Sequence, residues 1–280
     1  ANEYFFFSPY PSALPPHRGR KGGVRMLNFT KRNLLVFFKD KSSVFFSLLS
    51  VFIIIGMYAL FLGDVWTSSM SDLTGVRYLM DSWIVAGLLA VTSVTTTMGA
   101  FGIMVEDKSK KLIKDINSAP ISRASIAGGY ILSAFIIGVI MCLVTLVLCE
   151  LYILSNGGTL LGGMALLKVL GLILLSTFSN TALVLFFVSF FKSNNAFATA
   201  STIIGTVIGF LTGIYLPIGQ LPNAVQWVIR VFPPSHSAVL IRQVMMAEPL
   251  AASFAGVPAE YMEGFKETMG VVFKFGDTTV

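Results

Sequence analysis

The chain has 280 residues, of which 55% are hydrophobic and only 12% charged, with a mean hydropathy of +0.78. A soluble domain carries about 25% charged residues, so most soluble folds are excluded. The formal net charge of +6 does not point to nucleic acid, because the Lys and Arg residues sit in blocks between long apolar runs, as in a membrane protein with basic cytoplasmic loops.

Residues 1–25 differ from the rest. They read YFFFSPYPSALPP and then HRGRKGGVR, and the first Met is Met26. Lys21-Gly22-Gly23 is compatible with a purine-rich ribosome-binding sequence ahead of a Met26 start. Residues 1–25 are therefore expected to be a non-native leader; the alternative is a disordered Pro-rich cytoplasmic tail. The first apolar run begins near residue 44, too late for a cleavable signal peptide. Between them, residues 26–43 form a basic amphipathic stretch. Leu34, Leu35, Phe37 and Phe38 share a face, flanked by Lys31, Arg32, Lys39 and Lys41, which predicts a helix lying in the membrane interface.

Five membrane spans follow, at about 44–63, 82–104, 128–154, 165–191 and 197–216, each about the 20 residues that cross a bilayer core. The 105–127 loop carries Lys108, Lys110, Lys111, Lys114 and Arg123, whereas residues 64–81 hold Arg77 against Asp64, Asp72 and Asp81. Basic loops stay inside, so the N-terminus is expected in the cytoplasm and residues 217–280 outside. Pro217, Pro222, Pro233 and Pro234 divide that outer segment into pieces too short to span. One short helix is expected over 222–232, containing Trp227, and a second capped by Ser235 and running to about 247. Residues 248–280 read as a polar tail. Five spans place the termini on opposite sides, and the chain reads as a fragment that lacks a further span.

Catalytic and metal sites are not expected. The sequence has no GxxxxGK[ST], HExxH or GxSxG. Cys142 and Cys149 lie in one apolar run and read as packed core. Glu150 and Lys168, the ionisable residues inside spans, fall near span ends where snorkelling relieves them; no midplane carboxylate suggests a proton-coupled carrier. The second span is rich in Thr, Ser and Gly, which points to close helix packing. In the fifth, Ser201, Gly205, Gly209 and Gly213 recur every four residues, a stripe that predicts a helix–helix seam, within or between subunits. In the loop, Asp107 is expected to cap a short helix over 107–118. Leu112, Ile113 and Ile116 form its apolar face and Pro120 ends it, a shape that suits a groove on a cytoplasmic partner.

The order of these parts, with NSAPISRASIAGGY after the loop helix and IYLPIGQLPNAVQWVIRVFPPSHSAVLIRQVM at 214–245, is similar to the type-2 ABC transporter permeases, the family of bacterial drug, polysaccharide and lipid exporters. The resemblance covers about residues 27–250. It implies an all-α polytopic membrane protein in the bacterial plasma membrane, with the family's sixth span missing from this sequence. It also implies that residues 107–118 are a coupling helix docking on a separate ATPase through Glu106, Asp107, Lys111, Leu112, Ile113, Ile116, Pro120 and Arg123. Residues 27–43 would lie beside it. Two permease subunits, identical or different, would work with two ATP-binding subunits in the bilayer. No cofactor is expected in this chain, since ATP and Mg would bind the partner, and no nucleic acid is expected. The substrate class that the aliphatic spans favour is amphipathic or lipophilic, such as a drug, antibiotic or lipid. The competing reading is a membrane assembly or regulatory protein without transport activity.

Overall fold

The computed structural model describes residues 19–70, 73–118, 121–275 and 278–279. The fold is helical, with one antiparallel pair of two-residue strands, Lys274–Phe275 and Thr278–Thr279. Among the described residues, five helices are long and apolar enough to cross a membrane.

Helix α1, Gly19–Lys39, begins earlier and ends sooner than its sequence pattern suggests. It stops because Asp40 caps the next helix, accepting from Ser42 N at 3.0 Å and from Ser43 Oγ at 2.6 Å; an N-cap of this kind fixes a helix start. Its buried face is Phe29, Thr30, Asn33 and Phe37, a four-residue period, while Leu35 and Phe38 are exposed. The expected Leu34–Phe38 face is thus corrected: the buried stripe follows i, i+4 spacing, and adjacent apolar residues cannot all lie on it.

Helix α2, Lys41–Met57, passes without a break into a π-helical turn, Tyr58–Leu62, and then into α3, Gly63–Ser69. The sequence pattern does not reveal that turn, in which Tyr58 is buried. Helix α4, Val76–Ser109, starts after Gly75 in a left-handed conformation (φ 68°). It is the axis of the bundle: 83% of its apolar stretch is buried, against 11% for the last span. Around it pack the helix α6, Arg123–Ser155, α7, Gly163–Ser189, and α8, Asn194–Leu211. A Cβ on Gly138 of α6 would lie 2.7 Å from Thr177 of α7 and 2.8 Å from Thr97 of α4, so three helices meet where only glycine fits. Nearby, Asn180 Nδ2 donates to Ser93 Oγ at 2.6 Å. The hydroxyl-rich second span is therefore spent on helix packing. Glu150 accepts from Leu161 N at 3.1 Å and so ties down the α6–α7 connection.

Helix α8 ends at Leu211, five residues short of the expected limit, because Gly213 turns the chain with φ 67°. Within this one chain the small-residue stripe is not packed as a continuous seam. Ser201 and Gly205 are half-buried, a Cβ at Gly205 would meet nothing within 4 Å, and Gly209 receives the ring of Tyr215 from its own chain. The exposed face carries Thr199, Thr202 and Thr206, whose hydroxyls donate to the carbonyls of Asn195, Ala198 and Thr202 at 3.0, 3.1 and 3.0 Å.

Beyond α8 the chain forms α9, Asn223–Val231, and α10, Pro233–Met245. Pro222 precedes α9, and Pro233 is the first residue of α10, where its missing N–H costs nothing. Ser235 does not cap α10. Its Oγ donates to Leu211 O at 2.7 Å and ties the hairpin to the end of α8. Pro217 and Pro234 are buried, whereas Trp227 is 61% exposed. The expected polar tail instead folds into α11, Ala247–Ser253, and α12, Ala259–Thr268, and buries Phe254, Met269, Val271 and Phe273. The same end of the bundle holds a charged knot in which Asp81 accepts from Tyr152 Oη at 3.2 Å and Asn156 Nδ2 at 2.8 Å. Arg77 lies 3.0 Å from Asp64 and 3.4 Å from Asp81.

Candidate functional site at the junction of α1, α4 and α6

Glu106 and Asp107 do not open a short helix; they belong to the last turns of α4, which continues to Ser109. Asp107 is not a cap but the centre of a buried charge cluster. Its carboxylate takes both guanidinium nitrogens of Arg32, at 2.6 and 2.9 Å, and the Tyr130 hydroxyl at 2.6 Å. Paired, near-parallel N–H donors on one carboxylate are among the strongest protein hydrogen bonds. The Asp107 side chain is 4% exposed and that of Arg32 is 38% exposed, so the pair sits at the edge of the bundle, with one partner sealed and one reachable. The hydrogen bonds that Arg32 donates to Asp107 hold its guanidinium above its ordinary pKa.

The cluster pins α1 to α4 and α6 together. Arg32 also donates to Asn33 Oδ1 at 3.0 Å, and Asn33 Nδ2 reaches Ser133 Oγ at 3.2 Å. Phe29 packs edge-on to Tyr130, with ring centres 5.0 Å apart. The close approach needs two glycines of α6. A Cβ on Gly128 would stand 2.8 Å from Met26 Sδ, and one on Gly129 would stand 2.6 Å from Phe29. Lys31 is exposed beside the cluster and takes no part in it.

From this junction the chain turns once and begins α5, Leu112–Ser118. The turn residue is Lys111, with φ 61°, an unusual conformation for a residue with a Cβ. It ends α4 and redirects the chain; Lys114 N closes the turn on Lys111 O at 3.0 Å. Glu106 and Lys110 pair along the last turn of α4. The apolar face of α5 divides: Ile116 packs on the core and Ile113 is half-buried, but Leu112 is 39% exposed. Pro120 lies outside the described residues. Arg123 is exposed at the start of α6, behind the cap Ser122, whose Oγ accepts from Ser125 N at 3.1 Å.

The bundle carries one more feature. An apolar cleft of about 190 Å³ opens between α4, α7 and α8, lined by Val94, Met98, Val184, Ile204, Ile208 and Phe232 among others.

The family described as ABC-2 family transporter protein matches the chain over residues 64–262. The chain belongs to that family. The ABC-2 match takes in α4, the loop, α6 and the α9–α10 hairpin, and leaves out α1 and α2. A stretch of 86 residues is also 34% identical to nodulation protein J of Rhizobium meliloti (strain 1021), covering 31% of this chain and 33% of that protein. The chain thus spans about a third of the length of the curated relative it matches. No solved structure matches. As an ABC-2 transporter protein the chain is a multi-pass membrane subunit.

Within this ABC-2 protein the structure brings together Arg32, Asp107 and, close by, Glu106, Lys111 and Leu112. It leaves Phe38 outside the α1 contact, and it places Pro217, Pro222, Trp227, Pro233 and Pro234 at the opposite end of the bundle. Sequence reasoning missed Asn33, Tyr130, Gly128 and Gly129. The signal for three of them was present: the Gly-Gly-Tyr at 128–130 is a small-small-aromatic step at the start of a span, the pattern of a notch with a hydrogen-bonding group beside it.

Proposed function

We propose that this chain is the permease subunit of an ATP-driven exporter in the bacterial plasma membrane, with its N-terminus in the cytoplasm and its ATPase on a separate chain. The observation that carries this reading is the arrangement of α5. It hangs from the rigid α4 by the single Lys111 turn, beside an α1 fixed to α4 by the Arg32–Asp107 pair, and it presents Leu112 outward. A partner that grips α5 would therefore act on α4 directly. The basic residues around it, Lys108, Lys110, Lys111 and Lys114, favour the cytoplasmic side.

In this reading ATP and Mg bind the partner, and ATP binding draws two ATPase subunits together. Their surfaces press on α5 and α1 of two permease subunits, identical or different, and α4 carries the displacement along its length. The coupling exists only if the ATPase prefers one permease conformation, and it can shift the equilibrium by no more than that preference. The apolar cleft between α4, α7 and α8 supports a substrate with a lipophilic part, such as a drug, antibiotic or lipid.

The test is co-purification of the full-length native protein with the product of the neighbouring gene, followed by export and ATPase assays. The expected result is a stable complex whose export is abolished by Leu112→Asp or Ile116→Asp while membrane insertion is kept. Normal ATPase-coupled export by both variants refutes the reading, and the absence of any ATPase partner for a well-folded chain favours a membrane assembly or regulatory protein.

A further inference from the structure

A second guanidinium lies at the end of the bundle opposite Asp107, and it is held in another way. Arg242 of α10 is fully buried, at 0% exposed, and among the described residues no carboxylate lies within ion-pair distance of it. Its Nη1 donates to Gly270 O at 3.3 Å and its Nη2 to Gly213 O at 3.2 Å. Its guanidinium carbon stands 4.8 Å from the centre of the Trp83 ring, and its Nε has no partner. Trp83 in turn donates from Nε1 to Met269 O at 2.8 Å.

The socket is built of glycines. Gly213 and Gly270 both adopt left-handed conformations, φ 67° and 65°, in which their carbonyls reach the guanidinium and which a side chain would strain. On the facing side a Cβ at Gly87 would lie 3.2 Å from Nη2 and 3.0 Å from Ile214. One side chain thereby joins α4, the turn after α8, the hairpin helix α10 and the segment at 269–270.

As a permanent fastener this is a poor choice. Burying a cation without an anion costs several kcal/mol, and well-packed apolar side chains often hold a core better. Neutral carbonyls and a π face return only part of that cost. The arrangement suits a contact that has to come apart, because separation lets water hydrate the guanidinium and recovers what burial cost. We propose that Arg242 is a positioning residue for transport, a releasable latch that holds α10 and residues 269–270 on α4 and favours opening of this end once water reaches it. The link to transport rests on the exporter reading; the latch itself does not.

Two substitutions with opposite expected signs test it. A reporter is introduced by Val271→Cys, at a position 2% exposed, in the full chain, and its reaction with a membrane-impermeant maleimide is followed site by site by mass spectrometry. The native Cys142 and Cys149, both buried, report unfolding. Arg242→Met removes the hydration gained on opening, so labelling at 271 slows by about tenfold, with Cys142 and Cys149 silent and export lost. Trp83→Leu keeps the cation and weakens its closed-state hold, so labelling quickens by about threefold. A merely structural anchor makes both variants label faster. That outcome, an unchanged rate in both, or labelling of Cys142 in Arg242→Met overturns the latch. In the complex with the ATPase, ATP raises labelling at 271; export-competent complex with ATP-insensitive labelling removes the latch from transport. Failure to find an ATPase partner refutes the exporter reading and leaves the nucleotide-free comparison intact.

Discussion

Two guanidinium groups fasten α4 to its neighbours in opposite ways. At one end Arg32 meets a buried carboxylate and a tyrosine hydroxyl, so the charge is matched and the donors are aligned. At the other, about 36 Å away by helical rise over 24 residues, Arg242 meets two backbone carbonyls and an indole face. With Asp107 sealed from water, breaking this pair is costly because it leaves a lone buried carboxylate. An unmatched cation gains hydration on leaving. The α1 attachment is therefore built to stay and the α10 attachment to let go, while the Arg77–Asp81 pair keeps α4 fastened to α3 and α6 at that second end.

Several substitutions break or sharpen this contrast. Arg32→Asp places a second carboxylate against Asp107, and a loss of about 4 kcal/mol is expected, read as a lower melting temperature and new tryptic cleavage between α1 and α2. Combining it with Asp107→Arg recovers most of the loss if the pair, and not the helix surface, is responsible. Gly129→Leu drives a side chain into Phe29 and is expected to cost about 2.5 kcal/mol, measured by the same melting curve, with α1 again the segment released. At the releasable end Gly87→Ala crowds Ile214 and Arg242 and should cost about 1.5 kcal/mol, with labelling at 271 raised and α1 undisturbed. Tyr130→Phe removes one of the three donors on Asp107, and a loss of about 1 kcal/mol is expected. A Tyr130→Phe variant as damaged as Arg32→Asp would mean that the hydroxyl, and not the ion pair, fastens this end.

Much of this architecture was legible in the sequence. Each of the five spans is a long, predominantly apolar run, and hydrocarbon leaves a chain of that composition little choice but helix. Their ends were not, because they are set by single residues: Asp40 as a cap, Lys111 and Gly213 by their positive φ. The loop helix was visible from Leu112 and Ile116. Asp107 was misread because capping is a local pattern, whereas its partner Arg32 lies 75 positions away and leaves no trace in the spacing. Helices α11 and α12 were hidden for a related reason. They are short, and they fold by packing Phe254 and Phe265 together more than by any periodicity of their own.

The threonines of α8 have a consequence for anything that lies beside that helix. With each hydroxyl turned back onto a carbonyl of its own backbone, the ridge shows a neighbour chiefly methyl groups. To lipid tails or a second subunit it is a hydrocarbon surface, whatever a count of polar residues suggests. Threonine in a helix divides between two χ1 rotamers. Because that split exists for the sake of the backbone bond, the side chains can turn without offering a hydroxyl to a neighbour, and the helix can slide or repack along this face without losing a hydrogen bond.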